Sequence, residues 1–151
     1  MNNIEQYWEN FVKQNNLNLK FPDYWMFGDG SKELADELAN LVLLGKKTGT
    51  CAAKDSYTFE KDDIPKVGQY DIVLAGDSQP AAIIKYTKVE EIPMDEVSEE
   101  FAISEGEGDL TYEYWYREHE KFFLNEFSKY GLKYNPKIIL VCQTFEVVFP
   151  K

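Results

Sequence analysis

Arginine is nearly missing from this chain: Arg117 is the single one among 16 basic residues. Bidentate clamps on phosphate or carboxylate, which the planar guanidinium forms best, are therefore almost excluded. Histidine is as scarce, with His119 alone. The HExxH zinc pattern fails because Phe123 stands where its second histidine would be. One histidine without a visible partner does not make a zinc site, so no metal site is expected. There are two cysteines, Cys51 and Cys142, far apart and in no CxxC pair. Both are expected to be small buried hydrophobes in a reducing compartment. Long apolar runs are also absent. Leu41–Leu44 and Ile138–Cys142 are the longest, against the roughly 20 residues of a spanning helix. The opening MNNIEQYWEN holds two acids and no signal-like apolar stretch, which points to the cytoplasm. Positive charge is in deficit, 16 basic against 27 acidic side chains for a net −11. Extended duplex DNA and anionic membrane surfaces are disfavoured as partners, since both are gripped through Lys and Arg.

What the chain has is enough apolar material for a core, 44% hydrophobic and 15% aromatic over 151 residues, and a single domain is expected over 1–151. Ile4, Tyr7, Trp8, Phe11 and Val12 trace one face of a helix over about Asn3–Asn15. A connector to Gly30 follows, carrying Phe21, Tyr24, Trp25, Met26 and Phe27, too apolar for a solvated linker. Ser31 suits a helix N-cap, Leu34, Ala35, Leu38, Leu41 and Val42 form a stripe, and Gly45 a stop. Strands are expected at Lys47–Ala53, at Gln69–Leu74 and Ala81–Val89 as a hairpin, and at Lys137–Phe149. Between them lie an acidic, glycine-broken stretch over Glu90–Asp109 and a helix over Thr111–Tyr130 with Trp115, Phe122, Phe123 and Phe127 inward. Without βαβα alternation, the pattern predicts an α+β domain on a curved or barrel-like sheet.

Three places carry candidate chemistry. Gly45-Lys46-Lys47-Thr48-Gly49-Thr50 has lysines beside hydroxyls but runs helix to strand, the reverse of a phosphate loop, beside an electronegative helix end. In a regular strand Thr48 and Thr50 share one face, so Lys47 and Thr50 meet only across a bend at Gly49. Glu105-Gly106-Glu107-Gly108-Asp109 sets three carboxylates at alternate positions. It suits a hard-cation loop, although the calcium template is unmatched, a general acid/base carboxylate at a pocket rim, or a solvated acidic turn. His119 lies one turn beyond Trp115, placed for a ligand contact or as a surface or boundary histidine.

Taken in order, these strings resemble the ASCH family, a branch of the PUA-like folds. They are W-x-FG at Trp25–Gly28, ELADELANLVLLGKKTGT at Glu33–Thr50, VGQYDIVLAGDSQPAAIIKYTKVE, EEFAISEGEGDLTYEYWYREHEKFF at Glu99–Phe123 and the closing LVCQTFEVVF. The resemblance runs over about Tyr24 to Phe149 and is similar to a longer bacterial branch with an added N-terminal helix and connector at about 1–30. It implies a barrel with helices packed around it, a cleft beside the GKKT turn, and handling of RNA or a modified nucleoside, with no cofactor. One branch comprises N4-acetylcytidine amidohydrolases, whose catalytic lysine, threonine and glutamate fall here on Lys47, Thr50 and Glu105. In that chemistry Thr50 attacks, Lys47, its pKa lowered by burial, takes the proton, and Glu105 activates water or protonates the leaving amine. Trp25, Phe27, Lys46, Thr48, Glu107 and Trp115 are the expected ligand contacts around them. The smaller branch has an arginine two residues past the threonine, where this chain has Ala52. The other readings of such a fold are an RNA-binding module or metal-assisted ribonuclease, and a ligand-binding regulator without chemistry.

Overall fold

A computed structural model describes residues 2–150. The fold is mixed α+β on a curled, half-barrel sheet of five strands in the order β1-β3-β4-β5-β2. The chain divides into two compact units, each described in turn.

Among the described residues, the first unit comprises 2–45, 68–85 and 146–150. Its first helix, α1 (Asn3–Gln14), starts on a capping box in which Asn2 accepts from the Glu5 amide and Glu5 reaches back to the Asn2 amide. The expected stripe buries Trp8 and Phe11, which pack on Ile72, Leu74 and Ile83. Part of the expected connector is a strand, β1 (Tyr24–Met26), laid parallel to β3 (Tyr70–Leu74). Its length of three residues is too short for any periodicity to reveal. Helix α2 (Lys32–Leu43) begins at Ser31, whose hydroxyl accepts from the Leu34 amide, and buries Ala35, Leu38, Ala39 and Val42. The expected hairpin is present: β3 pairs antiparallel with β4 (Pro80–Pro93), with a register shift at Val73/Leu74.

The second unit comprises residues 46–67 and 86–145 and holds all the chemistry discussed below. Strand β2 (Gly49–Ala53) pairs antiparallel with β5 (Ile139–Phe149) in unbroken register from Gly49↔Thr144 to Ala53↔Leu140. Two short helices occupy stretches that composition marks as polar or acidic loop: α3 (Lys54–Glu60) and α4 (Glu99–Ser104). In α4 the Ser98 hydroxyl caps the Phe101 amide, and Glu99 and Glu100 lie in the first turn, where the helix dipole favours acids. Its six residues are fewer than two turns and show no stripe.

Helix α5 (Tyr112–Tyr130) is capped by Thr111 and stopped by Gly131 at φ 71°. Trp115, Phe123 and Phe127 are buried as expected, but Phe122 is 45% exposed. The inward stripe steps by four residues through Trp115, His119, Phe123 and Phe127, and Phe122 falls about a quarter-turn off it. The stripe joins Ala53, Met94, Val97, Ala102, Leu140 and Cys142 in one core cluster.

Candidate functional site

Two close backbone approaches build the site. The turn after α4 meets the segment between α2 and β2, with the Thr48 amide donating to the Ser104 carbonyl at 2.8 Å. Gly106 sits at φ +70°, and a Cβ there would lie 2.4 Å from the Lys46 carbonyl oxygen. A Cβ on Gly49 would lie 2.4 Å from Ser104 Oγ. The glycines of GKKTGT and EGEGD thus let two distant segments touch, and at Gly106, where the neighbour is backbone and φ is positive, a Cβ would force them apart.

Lys47 and Glu105 are brought together by this contact, at 1% and 2% exposure. Lys47 Nζ donates to the Glu105 carbonyl at 3.2 Å, to Glu105 Oε1 at 3.3 Å and to Glu107 Oε2 at 2.9 Å. An ammonium has three protons and no lone pair, so it meets each of these acceptors as a donor. The cation also faces the carbonyls at the C-terminal end of α4, its favoured place in the helix dipole. The other carboxylate oxygen, Glu105 Oε2, meets Trp115 Nε1 at 2.6 Å, Cys51 Sγ at 3.3 Å and His119 Nε2 at 3.2 Å. The remaining ring nitrogen, His119 Nδ1, is 2.7 Å from the Trp115 carbonyl oxygen.

The protonation states follow from these partners. Burial disfavours the Lys47 cation, but the charges and hydrogen bonds of Glu105 and Glu107 outweigh it and raise its pKa. The expectation of a lysine lowered by burial is thereby reversed: two carboxylates enclose it. Burial likewise disfavours the Glu105 anion, yet Lys47, His119 and Trp115 together bring its pKa down to about 2. His119 is raised despite burial because Glu105 accepts from it. Burial and the neighbouring Glu105 charge push the Cys51 thiol well up.

Thr50 is not brought to this centre. The register of β2 is regular, and Gly49 and Cys51 are the residues turned toward Ser104 and Glu105. Thr50 therefore takes the opposite strand face, opposite Gln143 on β5. Lys46 is exposed, and Thr48 and Glu107 are half-buried at the edge of the centre. Trp115 is buried, donates to Glu105 and stacks on His119 at 4.3 Å between centroids, so it positions the carboxylate. Trp25 and Phe27 belong to the first unit, where they form a T-shaped pair and the Trp25 indole donates to Asp71. Lys54 pairs with Glu91, so of Lys46, Lys47 and Lys54 near this turn two are neutralised by carboxylates.

Cys51 and His119 are the members that sequence reasoning set aside. The signal for His119 was its place on the i, i+4 stripe between Trp115 and Phe123. Cys51 offered none beyond sharing a strand face with Gly49. Together with Glu105, their ligand atoms lie within 4.8 Å of one another, the one group of this kind among the described residues. The partners that a lone histidine needs come from β2 and from the turn after α4.

Comparison with known proteins places these features in a family. No curated protein matches the chain. Among solved structures, protein EF3133 from Enterococcus faecalis V583 is 51% identical, with a TM-score of 0.90 over 97% of this chain and 88% of that one. The ASCH domain from Lactobacillus crispatus JV V101 is 28% identical, with a TM-score of 0.87 over 97% of this chain and 94% of that one. The ASCH domain family model matches residues 23–149. The region in which the Lys47–Glu105 centre lies is thus the ASCH core itself, and the chain belongs to the ASCH domain family.

Proposed function

We propose that this ASCH domain holds a nucleoside, free or as one residue of an RNA, against the Lys47–Glu105 centre and hydrolyses an acyl amide on its base. The observation that supports the reading is a charged pair kept almost out of water, Lys47 with Glu105, at 1% and 2% exposure. Burying such a pair seldom improves stability over well-packed apolar residues. Buried groups with shifted pKa values concentrate at functional sites.

The geometry changes the roles drawn from the family resemblance. Lys47 is held protonated, so in this reading it stabilises the oxyanion formed on the acyl group rather than accepting a proton. Because Thr50 lies on the opposite face of β2, attack is assigned to water. Water adds to the acyl carbon, the carbon–nitrogen bond breaks, and the products are a carboxylic acid and the free exocyclic amine. Glu105 holds Lys47 in place and accepts from the attacking water. Lys46, Thr48 and Glu107 at the edge are the proposed ligand contacts. A long RNA tract fits poorly with a net charge of −11 and with lysines already paired to acids.

The test is incubation with N4-acetylcytidine and a panel of other acylated nucleosides. Release of the free nucleoside is expected, falling at least about 100-fold in Lys47→Ala and Glu105→Gln and little in Thr50→Ala. No release above the two variants across the panel would overturn the hydrolase reading.

A further inference from the structure

We propose that Cys51, Glu105 and His119 bind one divalent ion of the zinc type. The inference concerns ion binding alone and does not depend on the hydrolase reading. Glu105 Oε2 is 3.2 Å from His119 Nε2 and 3.3 Å from Cys51 Sγ, and the three donors lie within 4.8 Å of one another. Tetrahedral zinc, with ligand bonds of about 2.0–2.3 Å, sets its donors roughly 3.3–3.6 Å apart. Two of the three donor pairs are already near that spacing and the third lies within 4.8 Å, so small side-chain adjustments would seat the ion. One sulfur, one imidazole nitrogen and one carboxylate oxygen form a borderline-soft set, which suits zinc and argues against Mg²⁺ or Ca²⁺.

The surroundings of His119 and Glu105 fit the same occupant. The carbonyl oxygen of Trp115, 2.7 Å from His119 Nδ1, can only accept, so Nδ1 carries the proton. The nitrogen turned to the carboxylate is then Nε2, and two acceptors cannot share a 3.2 Å contact without a proton or a metal ion between them. An imidazole anchored through Nδ1–H on a backbone carbonyl is the usual posture of a metal-ligating histidine. Trp115 Nε1 on Oε2 and Lys47 on Oε1 fix the carboxylate from outside, as outer-shell donors do at metal centres. Charge also balances. A dication held by one thiolate and one carboxylate is neutral, and Lys47 keeps Glu107 as its counter-charge at 2.9 Å. Three protein donors leave the fourth tetrahedral position for water or a ligand atom.

The experiment uses the full chain, stripped with a chelator and titrated with Zn²⁺ in competition with a chromophoric chelator, then with Co²⁺ as a spectroscopic probe. One equivalent of Zn²⁺ is expected. Co²⁺ should give tetrahedral visible bands with a near-ultraviolet thiolate charge-transfer band. Cys51→Ser should abolish the charge-transfer band and His119→Ala should weaken Zn²⁺ binding by about 10-fold or more. Cys142→Ser, which alters the other thiol, should retain the band. In the unmutated protein Zn²⁺ should protect Cys51 from alkylation, mapped by mass spectrometry, which keeps the test valid should a variant fail to fold. Sub-stoichiometric binding, a band that survives Cys51→Ser, or no protection of Cys51 would overturn the proposal. None of these readouts uses a nucleoside, so a failure here is separate from a failure of hydrolysis.

Discussion

Replacing Glu105 by glutamine tests whether one buried anion organises the second unit. The substitution preserves shape and removes the charge that faces Lys47, Cys51, Trp115 and His119. Lys47, 1% exposed, keeps Glu107 as a counter-charge, and removing one partner of a buried pair typically costs about 3–5 kcal/mol. The pH linkage gives an independent figure. A carboxyl lowered from 4.5 to about 2 contributes on the order of 3 kcal/mol of stability at neutral pH. Because the folded pKa is the lower one, that contribution is present above pH 4.5 and is lost as pH falls toward 2. At roughly 2–4 °C per kcal/mol for a chain of this size, the melting temperature should fall by about 6–20 °C. The assay is thermal and urea unfolding from pH 2 to 7, followed by tryptophan fluorescence and far-ultraviolet circular dichroism. Wild type should lose more stability than Glu105→Gln over the acid limb, so that the two converge at low pH. Lys47→Met combined with Glu105→Gln should recover part of the loss, because the stranded cation is gone. A single-variant loss under about 1 kcal/mol, or parallel pH profiles, would refute the view that Glu105 is a buried, ionised hub.

Three further outcomes are expected. Gly106→Ala places a Cβ 2.4 Å from the Lys46 carbonyl at φ +70°. It should cost at least about 2 kcal/mol in urea unfolding and weaken the Lys47–Glu105 contact. His119, titrated by NMR in chelator-treated protein, should have a pKa above its ordinary 6.5, and Glu105→Gln should lower it. Since the folded pKa is the higher one, its stabilisation is fully present below about pH 6.5 and is lost as pH rises through the folded value. In the first unit, Phe11→Ala empties a site 2% exposed among Trp8, Tyr70 and Phe149, with an expected loss of about 3–5 kcal/mol by calorimetry.

Much of the frame was legible because its signals are local. Helices α1, α2 and α5 carry stripes of apolar residues and side-chain caps at Asn2, Ser31 and Thr111. Strands β3, β4 and β5 are long enough to declare themselves. Short elements failed this test: β1 with three residues and α4 with six hold too few positions for a period. Phe122 went outward because the true stripe on α5 steps by four, through His119.

Periodicity and capping along the chain, then, determined the α+β frame, and the order of its motifs carried the family resemblance that singled out Lys47 and Glu105. Tertiary structure decided what those residues are. The charge of Lys47 and Glu105 depends on mutual burial across the Gly106 approach, a contact between segments some sixty positions apart. That approach also put Cys51 and His119 on one carboxylate oxygen and left Thr50 on the far side of β2. Desolvation and pairing are properties of a place in three dimensions, so no reading of spacing along the chain could assign them.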